Sequence, residues 1–282
     1  MSDMFCYLYG ITSAENSLDA APLSGIQRIA CRELTALVEA VSGDEFGPAE
    51  LDRNMASVDW VTRTARRHEA VLSAAMSFGP VIPARLCTIF SDAGAVARTL
   101  TEEHERLAGR LRYLADRSEW SLKLYCREEA LDALVDSADP ELAALAQAET
   151  GANEGKVYLL RKKQASRRAE LRQGLIDEAI DGLIEGVESL PVTLRERALM
   201  SSDLTGRSDP MVLNLAVLVG DEDLIALHAE LKVLATTLAE MGFTLESSGP
   251  WPPYTFANDE EESGEEAPDG EPADDDLERA GG

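Results

Sequence analysis

Three histidines (His68, His104, His228), four cysteines and 52 carboxylates are the groups in this chain that could bind a metal, attack a substrate or move a proton. Zinc requires converging nitrogen, sulfur or oxygen ligands. The histidines fall in three separate helical segments, and none has a second His or a Cys at ligand spacing. Cys6, Cys31, Cys87 and Cys126 are far apart and form no C-x-x-C pair. Three of them sit in apolar segments, so they read as buried free thiols of a reducing compartment. The sequence contains no H-E-x-x-H, G-x-S-x-G, G-x-G-x-x-G or P-loop signature, so no cofactor is expected. Acidic pairs such as Glu102-Glu103 and Glu128-Glu129 look like solvated helix surface. General acid–base work needs carboxylates whose pKa values are driven apart by burial.

Two other clusters stand out. Arg161, Lys162, Lys163, Arg167 and Arg168 cannot all share one helix face. They form either a solvated surface paired with acidic neighbours or a dock for an acidic partner or the chain's own acidic end. The segment Gly249-Pro-Trp-Pro-Pro-Tyr-Thr-Phe256 carries three prolines, which keep it out of helices and sheet interiors and favour an extended, polyproline-like strip. Trp251, Tyr254 and Phe256 then either pack back and tie down the terminus or present aromatic surface to another protein.

The elements that must hold these groups follow from periodicity. Phe5, Tyr7 and Tyr9 alternate with Cys6 and Leu8 ahead of Gly10, a strand. Ile26–Cys31 and Leu34–Val41 are further short strands. Apolar residues from Val58 to Met76 recur at helical spacing until Gly79-Pro80. Val81–Phe90 reads as a strand in which Pro83 marks an edge or a bulge. A helix capped by Ser91 or Asp92 is expected to run to about Arg117. From Glu119 the order is a half-buried strand, a helix broken near Asp139-Pro140 and again near Gly151, and a strand after Pro191. Met211–Val219 is the next strand. A helix capped by Asp221 and a strand Phe243–Glu246 follow. That order, βαββαβ, is the split βαβ, ferredoxin-like arrangement. The fold class expected is therefore α+β in two domains: 1–117, an N-terminal α+β domain, and 118–256, a ferredoxin-like domain. Residues 257–282 are expected to form a disordered acidic tail, because 12 acidic residues against one basic leave almost nothing apolar to bury.

A formal charge of −26 argues against nucleic acid and anionic membrane partners. The expected setting is cytosolic, since no apolar run approaches the ~20 residues that span a bilayer and the first ten residues lack a signal-peptide pattern.

Six segments, in order, carry a family resemblance. Tyr7-Leu-Tyr-Gly-Ile11 looks like the opening strand of the gas vesicle protein L/F family. Pro80–Phe90 is similar to its PV-P-RFGT-F segment. Glu119-Trp-Ser-Leu-Lys123 resembles its EW-LK strand, and Gly155–Leu160 its G-YLL segment. Val212–Val219 resembles LN-A-LV. Gly249–Phe256 is close to GPWPPYSF, the most specific of the six. The chain departs where Leu86-Cys87 replaces the family's usual Phe-Gly. The resemblance implies a two-domain, non-enzymatic protein of the cytoplasmic gas vesicle. Such a protein would be an accessory or minor structural component that contacts the hydrophobic major shell protein, and other gas vesicle proteins, and limits aggregation during nucleation and assembly. Trp251, Tyr254 and Phe256, with Arg85, are the candidate contacts. The alternative is a small-molecule-binding regulatory module, an idea resting on fold analogy. An enzyme built from scattered carboxylates would require a deep pocket lined by buried acids.

Overall fold

In the computed structural model, residues 3–13 and 23–257 are described. The acidic tail lies outside them from residue 258 onward. The first half starts with β1 (Met4–Ser13), β2 (Gln27–Cys31) and β3 (Leu34–Ser42). Three helices follow: α1 (Gly43–Phe46), α2 (Pro48–Met55) and α3 (Val58–Met76). Then come β4 (Val81–Phe90), α4 (Ala93–Glu102) and α5 (His104–Leu114). The strands form an antiparallel sheet in the order β2-β3-β1-β4.

Alternation in β1 assigns its faces. Tyr7 and Tyr9 point into a cluster with Val71, Leu72 and Ala75 of α3, whereas Cys6 and Leu8 point into one with Val96, Leu100, Leu107 and Leu111 of α4 and α5. The sheet is thus covered on both faces. The register of β1 slips between Leu8 and Gly10, where Gly10 faces Pro83. A Cβ on Gly10 would stand 2.7 Å from the Ile82 carbonyl oxygen and 2.9 Å from Leu72 Cδ2, so only glycine fits this close approach. Pro83 is both on an edge strand and opposite a bulge.

The second half is β5 (Arg117–Cys126), α6 (Glu128–Ala138), α7 (Pro140–Ala148), α8 (Glu154–Glu188) and β6 (Val192–Glu196). It continues with α9 (Ser202–Thr205), β7 (Met211–Gly220), α10 (Leu224–Glu240) and β8 (Phe243–Trp251). Its sheet is antiparallel in the order β6-β7-β5-β8. Asp139 caps α7 by accepting from the Glu141 and Leu142 amides, and Asn153 caps α8 through the Lys156 amide. One face of the sheet carries Leu122, Leu124, Leu213, Leu215 and Val217, packed on Leu131, Leu183, Leu227 and Leu231 of α6, α8 and α10.

The other face is buried as well. Ala216 and Leu218 of β7, with Phe256 and Ala257, join the cluster that holds Leu8, Leu34 and Leu111 of the first half. The expectation of a half-buried β5 is therefore corrected: Ser121 and Tyr125, on the face away from the helices, are also buried. Three further boundaries differ. The segment after Asp92 is two helices, α4 and α5, with Glu103 between them, and Arg117 already begins β5. Asp221 opens a short 3-10 turn and makes no side-chain cap to α10. β8 continues past Glu246 to Trp251, because an edge strand needs donors on one side only and so accommodates Pro250. All four cysteines are free, but Cys31 and Cys87 are only partly buried.

Candidate partner-binding surface

The groups that could do chemistry are used structurally. His68 is buried at 2% exposure, with Nδ1 2.8 Å from the Tyr7 hydroxyl and Nε2 3.1 Å from the Ala84 carbonyl oxygen. If Nε2–H donates to Ala84, Nδ1 accepts from Tyr7, whose oxygen in turn accepts from the Cys87 amide at 3.1 Å. Every member is then satisfied. Burial holds the imidazole pKa below its ordinary value. His104 sits 2.9 Å from Glu33, and the His228 ring packs edge-on against Trp120. Among the described residues, no three His, Cys, Asp or Glu side chains converge as metal ligands.

The basic cluster on α8 meets acidic residues of α6 and α7 and the residues just before and just after α7. Arg161 pairs with Glu149, Lys163 with Glu141, Arg167 with Asp139 and Arg168 with Asp136, at 2.7–3.1 Å. This is the paired, solvated surface; any docking of the acidic end would involve residues outside those described.

The proline-rich strip begins where β8 leaves the sheet, with Trp251 opposite Glu119. Glu119 is a buried carboxylate, 2% exposed, which the sequence did not single out. It accepts from the Thr255 amide at 3.0 Å and from the Thr255 hydroxyl at 2.7 Å. Arg197 stands 3.7 Å away. Desolvation pushes the Glu119 pKa up, against the Thr255 hydrogen bonds and the Arg197 charge. Arg195 donates to the Thr255 carbonyl at 2.6 Å and lies 5.2 Å from the Phe256 ring centre, a cation–π contact. Arg197 also donates to Ser121 Oγ and to the Leu215 carbonyl. A Cβ on Gly249 would come within 2.8 Å of the Trp120 ring, so the strip's first residue must be glycine to lie on that indole. The signal that could have found this anchor is an ionisable residue placed on the strand face opposite Trp120, Leu122 and Leu124.

This anchoring divides the candidate contacts. Phe256 is fully buried, so its place among the partner contacts is corrected: it is a core residue, and truncating a buried Phe costs about 3–5 kcal/mol. Trp251 and Tyr254 remain 43% and 40% exposed. Trp251 Nε1 donates to Ser248 Oγ at 3.1 Å, and the Tyr254 amide donates to the Pro252 carbonyl at 2.7 Å. Partial burial, with the Glu69 charge nearby, pushes the Tyr254 phenol pKa up, so it stays protonated. Beside these two rings opens a cavity of about 480 Å³ lined also by Lys123, Arg197 and Asn214. Arg85 is exposed on β4, and its guanidinium makes no ion pair among the described residues. Nothing brings it onto the strip.

Comparison with known proteins covers nearly the whole chain. Residues 5–258 match the family described as gas vesicle synthesis protein GvpL/GvpF. Gas vesicle protein L of a Streptomyces strain is 28% identical over 266 residues, covering 93% of this chain and 96% of that protein. Gas vesicle protein L2 of Halobacterium salinarum is 30% identical over 208 residues, 72% of this chain and 73% of that one. The crystal structure of the gas vesicle protein GvpF from Anabaena superposes with a TM-score of 0.66 at 19% identity, covering 92% of this chain and 99% of that one. The chain belongs to the gas vesicle synthesis protein GvpL/GvpF family.

Proposed function

We propose that this protein is a non-enzymatic accessory factor of gas vesicle assembly that binds the hydrophobic major shell protein and limits its aggregation during nucleation, in the cytoplasm. The observation that carries it is the strip 249–256. Gly249, Thr255 and Phe256 are locked to the fold, while Trp251 and Tyr254 stay exposed between them. Rigid, half-exposed aromatics lose little entropy on binding and are typical anchors of protein interfaces. The −26 charge of the chain adds solubility to any apolar subunit it holds. Arg85 is a secondary contact on the first half. In the same proposal the chain divides near 117/118, and its second half is ferredoxin-like. The β6-β7-β5-β8 order and the helices on one face support that.

Co-expression with the major shell protein, followed by pull-down and a measure of soluble shell subunit, tests this role. The wild type should retain the subunit in solution. The double variant Trp251→Ala/Tyr254→Ala should fold and lose it. A wild type that neither binds nor solubilises the subunit overturns the role, and a double variant that binds normally removes the strip from the contact. The alternative, a small-molecule regulatory module, has the cavity beside Trp251 in its favour, with Lys123 and Arg197 in its wall. A metabolite that raises the melting temperature by binding the native state would support it.

A further inference from the structure

A second surface lies apart from the strip. An apolar groove of about 850 Å³ opens between α6, α8 and α10. It sits on the helix-covered face of the second sheet, near the end where Phe243 pairs with Cys126. The Trp251 strip occupies the opposite face, at the Glu119 end. We propose that this groove docks an amphipathic helix of a partner protein whose apolar stripe is flanked by Lys or Arg.

Shape points to a helix. Five α8 residues line the groove: Leu171, Gly174, Leu175 and Glu178 form one helical stripe, with Glu170 beside Leu171 at its edge. The stripe spans about two turns, roughly 10 Å at 1.5 Å per residue. Leu134 of α6 and Met241 beyond α10 form the flanking apolar walls. Gly174 sits mid-stripe with open space where a Cβ would be, leaving a notch into which another helix can settle closely.

Charge selects the occupant. The rim carries the exposed carboxylates Glu170, Glu178 and Glu240, and no Lys or Arg lines the groove. Arg167, the cation near Glu170, is held by Asp139 at 2.8 Å. A second copy of this −26 chain would bring like charge to that rim, and the segment 258–282 offers 12 acidic residues and one apolar side chain larger than Ala or Pro, Leu277. Both are disfavoured. An apolar stripe with basic flanks satisfies floor and rim together.

The test uses the full-length protein and two short synthetic amphipathic helices, one of leucine and lysine and one of leucine and glutamate, with binding followed by calorimetry. Gly174→Leu fills the notch, and because Gly is a poor helix residue this change should keep or raise the melting temperature. Gly182→Leu is the control, on the same helix with equally open space. The lysine peptide should bind the wild type and Gly182→Leu alike and lose about tenfold or more on Gly174→Leu; the glutamate peptide should not bind. Equal binding to wild type and Gly174→Leu means simple adhesion to an acidic surface and overturns the proposal. Absence of binding, or equal binding of both peptides, overturns it too. Should Gly174→Leu melt early, Glu178→Lys/Glu240→Lys decides: it alters only exposed positions and should shift preference toward the glutamate peptide, and an unchanged preference overturns the charge assignment. None of these outcomes depends on which protein meets Trp251.

Discussion

Replacing Glu119 with Leu should release the strip while leaving the strand that carries it in place. The carboxylate accepts two hydrogen bonds from Thr255, at 3.0 and 2.7 Å, and faces Arg197 at 3.7 Å. Hydrogen bonds to an ionised acceptor contribute about 1.5–3 kcal/mol each. The gross loss is therefore ~3–6 kcal/mol. Part is offset, because the ionised carboxyl is held at a desolvation cost, visible in its raised pKa, that Leu does not incur. A net loss of about 2–4 kcal/mol follows, a little under the ~3–5 kcal/mol typical of removing one partner from a buried charged pair. At roughly 2–4 °C per kcal/mol for a chain of this size, the melting temperature should fall by about 5–15 °C. Glu119→Gln should stay within about 1 kcal/mol of wild type, since the amide oxygen still accepts from the Thr255 amide and the Thr255 hydroxyl can turn to accept from the new NH₂. Hydrogen exchange locates the damage: the Thr255 and Phe256 amides should exchange faster in Glu119→Leu and not in Glu119→Gln. Unchanged exchange at Thr255, with a melting temperature within about 2 °C of wild type, would refute the anchor.

Two further expectations come from the Tyr7–His68–Cys87 relay. Cys87 adopts φ +62°, a left-handed conformation that costs a non-glycine residue about 1–2 kcal/mol. Cys87→Gly should therefore be neutral or stabilising by up to ~1 kcal/mol after the entropy of the unfolded glycine is counted, whereas Cys87→Val should lose more than ~1 kcal/mol in urea denaturation. His68 has a folded pKa below its unfolded value near 6.5, so its contribution is complete above pH 6.5 and is lost as pH falls below it, because the unfolded chain then binds the extra proton. The slope of stability with pH between 6.5 and 5, approaching at most about 1.4 kcal/mol per unit, should flatten in His68→Gln, and identical slopes would exclude His68 as the source.

The elements were legible because their periods are clean. β1 alternates, α8 carries one apolar stripe from Leu171 to Val187, and Gly79, Pro140 and Gly151 punctuate where the chain turns. What periodicity could not convey is the burial of both faces of β5. Glu119 and Ser121 have polar side chains, as does Asn214 on the same face of β7, and along β5 a polar residue at every second position is the mark of a solvated strand face. Here that face is closed by residues from elsewhere in the chain: Thr255 lies 136 positions from Glu119, Arg197 76 from Ser121 and Ala198 16 from Asn214. The three residues are 2%, 6% and 5% exposed; Thr255 donates to Glu119, Arg197 donates to Ser121 Oγ, and Asn214 Nδ2 donates to the Ala198 carbonyl. The same long-range closure separated the three strip aromatics: Phe256 went inside, and Trp251 and Tyr254 did not.

The family segments acquire a common physical sense from this. Gly10, in the first of them, lies against Ile82, in the second, with no room for a Cβ. Glu119 and Trp120, in the third, receive Thr255 and Gly249 of the last, and Asn214 of the fifth holds the Ala198 carbonyl beside Arg197. Four of the six segments thus meet in pairs, and the fifth meets the chain between β6 and α9, at positions where the backbones approach closely or a buried polar group needs a partner; such positions tolerate few substitutions. The exceptions are informative for the same reason. Within these segments Trp251, Tyr254, Tyr158 and Leu159 point outward, the last two 68% and 64% exposed on α8. Neither core packing nor a buried hydrogen bond demands a large apolar side chain there, so these four residues are where a requirement from outside the chain has room to act.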